Sequence, residues 1–137
     1  MWKYYALLSA AFAGLTAVLA KMGIKGINTN LATAIRTVVI LVIAWGIVLA
    51  GGQVKGMKEL SRNNWLFLIL SGVATGLSWI FYFKSLETGP VSKVAPIDKL
   101  SIAFAIGLSM VFLKEPVDVK VLLGASLIIL GTLVIVW

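Results

Sequence analysis

The chain has 137 residues, 61% hydrophobic and 12% charged, with 12 Lys and Arg against 5 Asp and Glu and a net charge of +7. Soluble domains carry about a quarter charged residues, so this composition excludes a water-soluble domain and places the chain in a lipid bilayer. The absence of Cys and His removes disulfides, thiol catalysis, zinc and haem ligation through those residues, and the imidazole proton shuttle.

Five apolar stretches follow in chain order: Tyr4 to Gly23, Leu31 to Ala50, Trp65 to Phe83, Val94 to Leu113 and Val119 to Trp137. Crossing a hydrocarbon core takes roughly 20 apolar helical residues, and each stretch has that length. Lipid excludes backbone that does not satisfy its own hydrogen bonds, so continuous runs of this kind are helices. The expected fold is an all-α integral membrane protein of five transmembrane helices, one domain over residues 1–137.

The connectors Gly26 to Asn30, Gly51 to Asn64, Glu87 to Ser92 and Lys114 to Asp118 are rich in Gly, Asn, Pro and charge. Most are short, which predicts antiparallel neighbours in an up-down bundle with the chain ends on opposite membrane faces. Trp2, Trp65 and Trp137 fall at span ends, where an indole prefers the head-group layer. The first stretch, with Lys3 before it and Val18-Leu19-Ala20 near its end, also has features of a secretory signal. Its length matches the other four spans, and it is read as one of them.

Small residues recur at helix-packing intervals: Gly72 and Gly76, Ala10 and Gly14, Ala103 and Gly107, and Gly124 and Gly131. Such flat faces let helix backbones approach closely, and four of them predict a tight bundle.

Lys21, Arg36, Lys84, Asp98 and Lys99 lie inside or at the edge of spans. Lys21 and Lys84 are near span ends and can extend to the interface along their methylene stems. Arg36 and the Asp98-Lys99 pair lie deeper, where an ionised group costs several kcal/mol unless it pairs or faces water. Arg36 and Asp98 start spans on the same side of the membrane, so they suit either a structural salt bridge or a hydrated path. Ser71, Thr75, Ser78 and Tyr82 share one helical face, and Asp98, Ser101 and Ser109 form a comparable stripe. These stripes fit a wet cavity with Trp79, Tyr82 and Phe83 beside it, or hydroxyls bonded back to their own helices.

The stretches LLSAAFAGLTAVLAKMGIK, NLATAIRTVVILVIAW, GLSWIFYFKSLETGPVSKVAPI and FLKEPVDVKVLLGASLIILGTLVIVW, in that order, resemble the EamA domain of the drug/metabolite transporter superfamily over essentially the whole chain. Glu115 before a turn, and Gly124 and Gly131 in the closing helix, carry the most diagnostic part of the likeness. The resemblance implies a transporter built from two five-helix repeats of opposite orientation with substrate between them. This chain has one repeat, which implies pairing as an antiparallel homodimer. The family often has a proline near the middle of the fourth span; here the nearest is Pro96, close to its start, which puts the usual broken-helix site in doubt.

The N-terminus, second loop and fourth loop share one side and hold Lys3, Lys55, Lys58, Arg62, Lys114 and Lys120, against Lys21, Lys25, Lys84 and Lys93 on the other. That difference is a weak orientation signal and fits insertion in both directions.

The expected function is alternating-access transport of a small polar metabolite across the cytoplasmic (inner) membrane, the chain being multi-pass. Arg36, Trp79, Tyr82, Asp98 and Lys99 are the expected substrate-binding residues. Three cations near one acid favour an anionic or zwitterionic substrate, with Arg36 as the clamp. The alternative is a non-transporting membrane subunit that packs with or regulates a partner chain. An enzyme is not expected, because no nucleophile–base set or pair of acids falls within a span. No cofactor or metal is expected, and nucleic acid is not an expected partner, because no run of five successive Lys or Arg occurs.

Overall fold

A computed structural model describes residues 1–137. Helices α1 (Trp2–Gly23) and α2 (Thr29–Ala50) are followed by a short 3₁₀ segment (Gln53–Glu59) and the long helix α3 (Arg62–Thr88). Then come α4 (Val91–Asp98), α5 (Ser101–Leu108), a π-helical turn (Ser109–Leu113) and α6 (Val119–Val136). Five stretches are long and apolar enough to cross a membrane, the fourth of them being Val91–Leu113. The all-α membrane architecture expected from the sequence is present.

The helices run past the expected span ends for local reasons. α2 begins at Thr29 because the Asn28 side chain caps it, accepting from the Asn30 N–H at 2.8 Å and the Leu31 N–H at 3.4 Å. Gly26 turns the chain into that cap with φ +76°, a conformation that costs glycine little. α3 starts early on a cap at Ser61, whose hydroxyl donates to Asn64 Oδ1 at 2.9 Å and accepts from the Asn64 N–H at 3.2 Å. It continues through Lys84 and Glu87 to Thr88, because the first breaker is the Gly89-Pro90 pair.

The chain folds as two units, residues 22–87 and residues 1–21 with 88–137. In the first, α2 and α3 are joined through the 3₁₀ segment, and Phe83 and Leu86 are fully buried. In the second, α4 and α5 pack on α6, with Val94 and Thr132 buried. Lysines close that unit: Lys21 Nζ donates to the Gly89 carbonyl at 3.0 Å and Lys93 Nζ to the Val136 carbonyl at 3.3 Å. Lys21 therefore satisfies a backbone carbonyl in the turn before α4.

The outward faces are apolar: Phe104 is 73% exposed, Phe112 75% and Val134 81%. A water-soluble fold does not present such a surface, whereas hydrocarbon solvates it.

The small-residue faces correct one expectation. A Cβ added at Gly14, Gly72, Gly76, Gly107, Gly124 or Gly131 would meet nothing within 4 Å, so these faces are not the contacts that hold the chain together. Between α5 and α6, Ala103, Gly107, Ala125 and Ser126 instead line an open cleft of about 230 Å³.

Candidate functional site

Arg36 lies seven residues into α2, which is roughly 10 Å of helix rise and deeper than a start at Leu31 implies. Its guanidinium stacks against two rings of α3, 4.6 Å from the Phe83 centroid and 5.3 Å from that of Trp79. Trp79 and Phe83 are four residues apart, so one helical face presents both rings to one cation. Tyr82 meets Phe83 edge-on, with centroids 6.3 Å apart and planes at 72°. Each cation–π contact is worth up to about 2 kcal/mol when desolvated, enough to offset much of the cost of holding Arg36 at this depth. Neither acid of this unit, Glu59 or Glu87, pairs with Arg36. A guanidinium over rings still carries five N–H donors in a planar fork that suits a carboxylate or phosphate.

Thr29 and Thr33 are buried along the same helix. The Thr33 hydroxyl donates to the Thr29 carbonyl at 2.9 Å and that of Thr37 to the Thr33 carbonyl at 2.8 Å. The four-residue threonine spacing beside Arg36 was a signal that the polar-stripe reading of the third and fourth spans did not use.

The second group lies where the fourth span breaks. Pro96 has no N–H to give the Ser92 carbonyl, and one turn later the backbone tightens to i→i+3 bonds. Lys99 N–H donates to Pro96 O at 3.0 Å, Leu100 to Ile97 at 2.9 Å, Ile102 to Lys99 at 3.0 Å and Ala103 to Leu100 at 3.0 Å. α4 ends at Asp98 and α5 begins at Ser101. The off-centre proline therefore does go with a broken fourth span, contrary to the doubt that its position raised. Backbone freed inside a membrane needs partners from neighbouring helices. Thr132 of α6 adds one to a carbonyl that already accepts from the Lys99 N–H: its hydroxyl lies 2.9 Å from its own Ile128 carbonyl and 3.3 Å from that of Pro96. Sequence reasoning passed over Thr132, one of two hydroxyls, with Ser126, in a largely apolar helix.

At this break Asp98 and Lys99 pair with each other, Oδ2 to Nζ at 3.4 Å, with side chains 38% and 51% exposed. Arg36, Trp79 and Tyr82 thus lie on one unit, with Phe83 added to them, and Asp98 and Lys99 lie on the other. Two hydroxyls of the stripes are bonded to their own helices: Thr75 to the Ser71 carbonyl and Ser109 to that of Ile106, each at 2.9 Å. At these positions the back-bonded reading holds.

A five-span apolar helical chain with a discontinuous fourth span has the layout of one transporter repeat. All of residues 1–137 match the EamA-like transporter family. The chain belongs to that family. A protein of Sinorhizobium sp described as an uncharacterized transporter in the cobO 3′ region is 48% identical over 134 residues, covering 98% of this chain and 95% of the relative. No solved structure matches. This EamA member is accordingly a multi-pass membrane protein of a transporter family, and the relative, too, is named for transport. The fourth span of the EamA chain closes in the π-helical turn, where Lys114 takes a left-handed conformation, φ 53° and ψ 32°, before Glu115-Pro116. A left-handed residue followed by proline is a strong helix stop, so the acidic turn quoted for the family likeness marks the end of this span.

Proposed function

We propose that the chain is a single five-helix domain that carries a small polar metabolite, anionic or zwitterionic, across the cytoplasmic membrane by alternating access as an antiparallel homodimer. Arg36 carries this reading: a guanidinium inside a span, held by rings rather than by an acid of its own unit, is preorganised to receive a carboxylate or phosphate edge. Trp79 and Tyr82 form the apolar side of the same site. Asp98 and Lys99, at the break of the fourth span, supply charge of both signs to the path. The open glycine faces support pairing, since close-packing surfaces unused within one chain are available to a second copy.

The test is uptake and binding by purified protein in proteoliposomes, with candidate organic anions and zwitterions screened first by thermal shift. Binding of an anion by the wild type and its loss in folded Arg36→Ala support the reading; full affinity in the variant returns Arg36 to a structural role. Dual insertion is tested by placing a cysteine at Lys58 and labelling from each side. Labelling from both sides in one preparation supports the antiparallel dimer, and labelling from one side excludes it.

A further inference from the structure

The connector between the second and third spans is a built ledge. Gly52, at φ +64°, turns the chain out of α2, and a 3₁₀ segment then runs from Gln53 to Glu59. With three residues per turn its side chains eclipse at every third position, which gives the segment faces. Val54, Met57 and Leu60 form an apolar row, and Lys55 and Lys58 form a basic row beside it. Arg62 follows at the start of α3. Lys55, Lys58 and Arg62 are exposed and none is in an ion pair.

Under the ledge lies an apolar groove of about 420 Å³, bounded by Trp45 and Val48 of α2, Met57 and Leu60 of the ledge, and Trp65 of α3, with Gln53 as its polar residue. The ledge joins the end of one span to the start of the next, so it lies at the membrane surface, and Trp45 and Trp65 mark the same layer. An apolar groove open to hydrocarbon, under a ledge that also carries Lys55 and Lys58 and leads into Arg62, matches one molecule: a phospholipid, acyl chain in the groove and head group on the basic residues. Three cations against Glu59 select a lipid with net negative charge.

We propose that this ledge is a binding seat for an anionic phospholipid, with its phosphate held by Lys55, Lys58 and Arg62 and an acyl chain between Trp45 and Trp65. The seat is separate from Arg36 and stands whether or not the transport reading does.

Native mass spectrometry of the full chain, released from micelles doped with equal phosphatidylglycerol and phosphatidylcholine, measures the preference. The wild type should retain phosphatidylglycerol preferentially, and the preference should fall by roughly fivefold for each lysine removed in Lys55→Ala and Lys55→Ala/Lys58→Ala. Lys25→Ala/Lys84→Ala removes the same charge elsewhere and should leave the preference unchanged. Gly56 lines the groove and a Cβ there would meet no atom within 4 Å, so Gly56→Leu adds bulk at its wall without a clash and should lower retention of phosphatidylglycerol. Circular dichroism confirms that each variant is folded. Equal retention of the two lipids by the wild type overturns the seat, as does an equal loss of preference in the Lys25/Lys84 variant. Unchanged retention in folded Gly56→Leu overturns the groove as its location.

Discussion

The two units hold charge in the membrane by different means. In residues 22–87, α2 stays a continuous helix and Arg36 is accommodated by side chains, its guanidinium lying over two rings of α3. In the other unit the backbone gives way: the fourth span breaks after Asp98, and the acid is balanced by the lysine next to it in sequence. The first arrangement leaves a fixed cation with directional donors. The second leaves a loosely held ion pair, with both members more than a third exposed, beside a joint in the helix. A fixed cation suits recognition, and a joint suits movement.

The contrast is broken most sharply at Arg36. Arg36→Ala should weaken binding of an anionic substrate by about 100-fold or more, because a charge-assisted clamp is lost outright. Arg36→Lys should fall between, since an ammonium keeps the charge but cannot stack or donate in a planar fork. Asp98→Asn should be milder, within a few-fold of wild type, because its present partner is an exposed neighbouring lysine. Isothermal titration on the purified variants gives the order. If Asp98→Asn loses more affinity than Arg36→Ala, recognition lies at the break and the assignment of the two units is reversed.

The joint is tested by healing it. Pro96→Ala restores an N–H to the Ser92 carbonyl and removes a ring that a helix interior tolerates at a cost of about 3 kcal/mol. The variant should therefore be more stable to heat, by up to that amount, and slower in transport, while substrate affinity is retained. A variant that is more stable and transports at the wild-type rate removes the break from the mechanism.

How much of this was legible in the sequence differs between the two units. Five spans follow from apolar run length, and the largest misses at their ends fall where a local cap or a late breaker moved them, as Asn28, Ser61 and Gly89-Pro90 do. Trp79 and Phe83 could be placed on one face from their spacing. That Arg36 stacks on them was not legible, because opposite charge points first to Asp98 and cation–π contact depends on where α3 lies beside α2. The break was harder still. Pro96 was visible, but the residue that meets its carbonyl is 36 positions away on α6. Thr75 and Ser109 show the limit of stripes: a hydroxyl aligned with its neighbours can equally turn back to its own helix.

The smallest effect concerns Thr132, and it decides whether that hydroxyl serves the break or only its own helix. Thr132→Val keeps the shape and removes the donor. Pro96 O retains the Lys99 N–H at 3.0 Å, so little is left unsatisfied, and the loss should be about 0.6 kcal/mol, the usual worth of an interhelical hydrogen bond in a membrane. That size alone does not discriminate, because losing the Ile128 contact within α6 would cost a similar amount. A double-mutant cycle does. In the Pro96→Ala background the healed helix gives the residue-96 carbonyl its own i+4 partner, and the cost of Thr132→Val should shrink toward zero. Thermal unfolding of the four proteins in one detergent measures it. An identical Thr132→Val cost in both backgrounds would mean that the hydroxyl answers only to Ile128, and that α6 meets the fourth span by packing and by the Lys93–Val136 contact rather than at the break.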